Sequence, residues 1–151
     1  YASNDRNHKI AQATQQQWNK AFGINIVLSG NEPQMQIDKV KSGNYQIAMG
    51  SWYADIQDPI NFLEIFKSKD NPTNQTYWSN DTYTNLLHQS SVELDPRKRK
   101  EILAEAEKIL IEGMPVIPLF HSAYNYLKSD DVENVYFSPL GYLDFKRAIK
   151  H

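Results

Sequence analysis

The feature that most constrains this chain is a change of period, made twice over, between Asn7 and Met49. Ile10, Ala13, Thr14, Trp18, Ala21 and Phe22 recur at helical spacing, and Gly23 stands where a helix would stop. Ile24, Ile26 and Leu28 then alternate with Asn25 and Val27 before Gly30 and Asn31, the pattern of a strand closed by a turn. Pro33 suits a helix first turn because its missing N–H costs little there, and Met35, Ile37 and Val40 with a stop at Gly43 complete a second helix. Tyr45, Ile47 and Met49 alternate again. The order helix, strand, helix, strand predicts an α/β fold of βαβ units with a mainly parallel sheet and flanking helices. Tyr1 is then expected at or just after the end of an earlier strand. In such sheets ligands bind beyond the carboxyl ends of strands, which is where the stretch Gly50-Ser51-Trp52-Tyr53-Ala54-Asp55 lies.

The later pattern is mostly helical. Pro59–Phe66 reads as a short helix and 67–79 as a polar loop. Asn80 is placed to cap a helix carrying Tyr83, Leu86 and Leu87, and Asp95-Pro96 to open a longer one through Ile102, Leu103, Ala106, Ile109 and Leu110 to Gly113. These two are expected to pack antiparallel. Pro115–Phe120 reads as a buried, proline-flanked edge strand.

At 151 residues the chain suits a single domain with a core of its own. Lys plus Arg number 16 against 18 Asp plus Glu, so the formal net charge of -2, with no strongly one-signed half, argues against nucleic acid as a partner. The longest apolar run is far short of the ~18 residues that would span a bilayer. Cysteine is absent, which suits passage through an oxidising compartment. The chain opens on Tyr1, and is expected to be a processed or excised piece of a longer protein.

Asp55 and Asp58 are the one carboxylate pair that could divide into acid and base. No nucleophile elbow, zinc-protease motif, phosphate loop or cysteine accompanies them, and Asp58, directly before Pro59, is read first as a helix N-cap. His8, His88, His121 and His151 lack ligand spacing, so neither a metal nor a cofactor is expected. Arg97-Lys98-Arg99-Lys100 is followed by Glu101, Glu105 and Glu107 and reads as a solvated helix face. Asn74-Gln75-Thr76 and Asn80-Asp81-Thr82 match the glycosylation sequon, a pattern too short to carry weight. Trp52, Tyr53, Tyr77 and Trp78 are either core or the walls of a cleft, and their closeness in sequence to Asp55 favours the cleft.

The run Trp52 to Leu63, WYADIQDPINFL, resembles the Trp-x-x-Asp-x-x-x-Pro-x-x-Phe-Leu segment of the extracytoplasmic peptide-binding proteins of ABC importers, the oligopeptide and dipeptide class. YWSNDTYTNLL, DPRKRKEILAEAEKIL and MPVIPLF follow in that family's order, and the opening YASNDRNHKIAQATQQQWNKAFGINI is similar too. Thr84 departs from the pattern, since members often have Asp there.

The resemblance implies a C-terminal lobe of a longer, two-lobed, hinge-closing receptor, periplasmic or lipid-anchored at the cell surface, with the tail 122–151 returning toward the missing lobe. It implies that Asp55 holds a ligand's α-ammonium, that Gly50, Ser51, Trp52 and Tyr53 line the ligand's main chain, and that the protein is no enzyme. The partners implied are a peptide ligand and the importer's membrane subunits. Weak self-association of the isolated chain is expected as well, through an apolar face that includes Trp52, Tyr53, Tyr124, Tyr126 and Tyr136. A receptor for a nickel chelate, haem or a signalling peptide would look similar over this stretch. From other classes, a small α/β hydrolase using Asp55 and Asp58, or an adaptor with an aromatic cleft, remain open.

Overall fold

The computed structural model describes residues 1–123 and 125–151, and these divide into two compact units, Tyr1–Ser51 and Trp52–His151.

In the first unit α1 spans Asp5–Phe22, opened by Asn4, whose side chain accepts from the Asn7 amide, and closed by Gly23 in the left-handed region at φ 68°. The end at Gly23 stands where the sequence puts it, and the start lies two residues before Asn7, from which the period is read. Half-buried positions at Ile10, Ala11, Thr14, Gln15 and Trp18 give the helix one inward ridge, while Ala13, Ala21 and Phe22 fall on its exposed side. α2 spans Pro33–Lys41, with the Glu32 carboxylate accepting from the Gln34 and Met35 amides, and Gly43 follows at φ 69°. Gln36 and Val40 are its buried residues.

The two strands expected beside these helices, at 24–28 and 45–49, form no ladder. A strand is stable only when its N–H and C=O groups find a neighbour, and other partners serve part of the first segment. Gln15 Nε2 of α1 donates to the Ile26 carbonyl at 2.5 Å and Asn19 Nδ2 to the Ile24 carbonyl at 3.1 Å. Of the expected parallel sheet one bridge is present, Ala2 with Asn31, in which Ser3 N donates to Asn31 O and Asn31 N to Tyr1 O. That bridge joins the chain before α1 to the chain after it in parallel, a βαβ crossover reduced to its smallest form. The buried Asn31 side chain secures it, donating to Gln36 Oε1 and accepting from Lys39 Nζ, each at 2.8 Å.

The second unit holds the larger core. α3, Ile60–Leu63, runs directly into a 3-10 turn at Glu64–Phe66. α4, Asp81–Val92, is capped by Asn80 accepting from Tyr83 N, and α5, Pro96–Gly113, by Asp95 accepting from Arg97 N. The helices run antiparallel, as expected. Arg99 near the start of α5 donates to the Ser90 carbonyl near the end of α4, while Trp78, just before α4, lies against Gly113 at the end of α5. Leu63, Tyr83, Leu87, Leu103, Ala106 and Leu110 form the buried cluster. Trp78 meets Tyr83 edge-on at 5.1 Å between ring centroids, so of the four aromatics weighed as cleft walls Trp78 is core.

Pro115–Phe120 is not a strand. Two of its six residues are prolines and supply no N–H, and only Val116 packs on the core, with Ile117, Leu119 and Phe120 exposed. The ladders that do form are short and antiparallel: β1 (Val132–Glu133) with β4 (Ile149–Lys150), and nested inside it β2 (Tyr136–Phe137) with β3 (Leu143–Asp144). The tail thus carries a nested hairpin that no periodicity announced.

Candidate ligand-binding site

The candidate segment crosses the division between the units. Gly50 and Ser51 end the first, and Trp52, Tyr53 and Asp55 open the second. At Gly50 a side chain would meet nothing within 4 Å, so the backbone there is open to close approach. Gly50, Ser51 and Trp52 have no main-chain ladder partner among the described residues.

In the second unit one side chain organises the segment. Asn61, in the first turn of α3, accepts at its Oδ1 from the indole Nε1 of Trp52 at 3.0 Å and from the backbone N–H of Asp55 at 3.1 Å. Two donors three residues apart converge on one oxygen, which ties 52–55 to the helix. The Asp55 carboxylate itself is exposed and makes no ion pair among the described residues. Trp52 and Tyr53 are 40% and 49% exposed.

Asp58 is in the opposite situation. The N-cap of α3 is Pro59, one position later than expected, but Asp58 Oδ1 still accepts from Ile60 N at 2.9 Å, and both its oxygens are gripped by the Arg99 guanidinium at 2.8 and 3.0 Å. The Arg99 hydrogen bonds, helped by the Ile60 amide, hold the Asp58 carboxyl below the usual carboxylate range against the opposing effect of burial. Arg99 does not belong to a solvated face, as its run of basic neighbours suggested. It reaches 41 positions back along the chain to clamp the start of α3 to α5.

Asn61 and Arg99 were therefore the residues that sequence reasoning missed. Local spacing could not pair Arg99 with Asp58, because the pairing depends on how α3 packs on α5. A signal for Asn61 existed, a polar residue just after the turn following Asp58, but nothing in the sequence says what it accepts from.

Tyr77 is exposed. A separate open cleft is lined by Glu64, Lys67, Ser68, Asp70, Asn71, Thr84 and His88 and includes none of the predicted residues. Thr84, the departure from the family pattern, donates from its hydroxyl to the Lys67 carbonyl at 2.8 Å, fastening α4 to the end of the 3-10 turn. Among the described residues no group of three or more His, Asp or Glu side chains could hold a metal ion, and no helix is long and apolar enough to cross a membrane.

Residues 1–74 match the middle-region model of the bacterial extracellular solute-binding proteins, family 5. The chain is 38% identical over 148 residues to the oligopeptide-binding protein OppA of Bacillus subtilis. The chain belongs to this family. It is also 32% identical over 151 residues to the dipeptide-binding protein DppE of the same organism. These matches take in 98% and 100% of this chain but 27% and 28% of the relatives, so it spans about a quarter of their length. Among solved structures, Haemophilus influenzae OppA in complex with RPPGFSPFR superposes with a TM-score of 0.76 at 26% identity, covering 88% of this chain and 26% of that one. The fold is accordingly that of a periplasmic-binding-protein-like α/β lobe, with helices and short ladders where the sequence led one to expect a broader parallel sheet.

Proposed function

We propose that this chain is the C-terminal lobe of a two-lobed peptide receptor that works outside the cytoplasm, delivers peptides to the membrane subunits of an ABC importer, and holds the ligand's α-ammonium on Asp55. The observation that carries the proposal is the contrast between the two aspartates. Asp58 is consumed by Arg99 and the start of α3, whereas the Asp55 backbone is braced and its carboxylate left open. In a closed, dry cleft an unpaired charge would cost about 3–5 kcal/mol, so a lone carboxylate selects a ligand bearing the opposite charge. The open backbone at Gly50, Ser51 and Trp52, with Tyr53 next in line, suits main-chain pairing to an extended peptide, which adds affinity without reading side chains. The names of the relatives, oligopeptide- and dipeptide-binding proteins, support the same ligand class. A carboxylate pair working as acid and base is disfavoured, because Arg99 keeps Asp58 ionised and leaves it no proton to give.

The test uses the full-length receptor. Asp55→Ala should weaken free-amine peptides far more than the same peptides acetylated at the N-terminus, since acetylation has already removed the charge that Asp55 serves. The coupling between the two changes should be about 1.5–7 kcal/mol by calorimetry. Equal losses for both peptide forms would remove the ammonium role.

A further inference from the structure

We infer that Asn61 is a positioning residue for the ligand contact, its single Oδ1 setting the Asp55 carboxylate and the Trp52 ring together as one unit. This rests on the ammonium-binding reading of Asp55 and adds to it a residue that touches no ligand.

The segment Trp52–Asp58 lies in no helix or ladder. Its main-chain bonds among the described residues lie at its C-terminal end, from Asp58 N to Ile56 O at 2.9 Å and from Asn61 N to Asp58 O at 3.1 Å. Asn61 supplies what a neighbouring strand would have supplied, an acceptor at fixed height for the Asp55 N–H, and uses the same atom for the Trp52 indole. The acceptor is itself fixed from behind. Asn61 stands on α3, whose Leu63 is in the core and whose start is clamped by Asp58 to Arg99 of α5. A path of hydrogen bonds thus runs from α5 through Asp58 and the first turn of α3 to Asn61, and ends at the backbone of Asp55. Displacement of a charged contact by a fraction of an ångström to an ångström is enough to lose much of its benefit, which is why a binding carboxylate needs such support.

The test compares Asn61→Leu, close in shape but without an acceptor, with Asn61→Asp, which keeps an oxygen in the same place. Both are made in the full-length receptor and titrated with a mixed pool of short peptides, free or N-acetylated. Loss of two hydrogen bonds to the loop should weaken the free-amine pool roughly tenfold and the acetylated pool much less, with Asn61→Asp restoring most of the affinity. Where Asn61→Leu does not fold, Asn61→Ala is judged by the same contrast. Equal weakening of both pools, or a lowered melting temperature with the contrast between pools unchanged, would show Asn61 to be merely structural and overturn the inference. Asp55→Ala is run beside them. If it discriminates between the pools and the Asn61 variants do not, the inference alone fails; if it does not discriminate either, the ammonium reading has failed first.

Discussion

Asp55 and Asp58 are the same residue type three positions apart, and their fates are set by what folds against them. The bond from Ile60 N to Asp58 was legible, because an aspartate before Pro59 and an apolar turn has a local meaning, though Pro59 and not Asp58 is the N-cap. Its second partner was not, since Arg99 arrives through tertiary packing. The consequence can be measured. The Asp58 and Arg99 side chains are 28% and 29% exposed, so the pair is screened only in part, and Arg99→Ala should cost about 1–2 kcal/mol at neutral pH. Because the folded-state carboxyl is held below its unfolded value, that contribution is present above an unfolded pKa of about 3.9 and is lost as the pH falls through the lowered value. Urea unfolding of wild type and Asp58→Asn at descending pH should converge in the acid range. A constant gap would show that the ion pair is not its source. Asp58→Ala should meanwhile lower the ratio of free to acetylated peptide affinities less than Asn61→Leu does, because it reaches Asp55 only through the start of α3.

At the scale of elements, helices were legible and strands were not. α1, α4 and α5 each announce themselves by period, and α4 and α5 also by their side-chain caps at Asn80 and Asp95, all of which are local properties of the chain. Alternation at 24–28 and 45–49 says which side chains share a face but not which backbone lies alongside, and a ladder needs that second fact. The α4–α5 pair with α3 is the firm part of the second unit, and Tyr83 is its pivot. The ring is fully buried and its hydroxyl donates to the Leu63 carbonyl of α3, while burial pushes the phenol far above its ordinary pKa and keeps it neutral. Tyr83→Phe should therefore destabilise by about 0.5–1.5 kcal/mol, the net worth of one buried hydrogen bond. Leu87→Ala, which opens a cavity in the same cluster, should cost about 2–5 kcal/mol. Thermal unfolding of the two variants checks both, and an unchanged midpoint for Tyr83→Phe would remove the hydroxyl from the account.

For the whole molecule, the aromatic surface is the telling property. Trp52, Tyr53, Tyr126 and Tyr136 are between 40% and 60% exposed, with Tyr126 stacked on Phe137 at 5.6 Å; Tyr124, expected on the same surface, lies outside the described residues. Large rings left this open are apolar surface of the kind that marks an interaction site. On the two-lobed reading proposed above, the isolated chain should bind short peptides weakly or not at all, because a second lobe would supply half of the contacts and most of the exclusion of water. A sub-micromolar constant by calorimetry on this chain alone would contradict that. The same surface should drive weak self-association, visible as a concentration-dependent sedimentation coefficient, and a clean monomer at high concentration would count against it.

Asn74 opens a glycosylation sequon and is only 3% exposed. Its amide donates to the carbonyls of Ser68 and Trp78, and its oxygen accepts from the Thr76 hydroxyl of the same sequon. A glycan replaces one of those two amide hydrogens and cannot be accommodated in a buried side chain. Secretion from a yeast or mammalian host would expose the unfolded chain to oligosaccharyltransferase before this loop closes, and a sugar added there would keep it open beside the Trp78–Tyr83 contact. The choice of production host is thus a structural decision for this protein, made at one buried side chain.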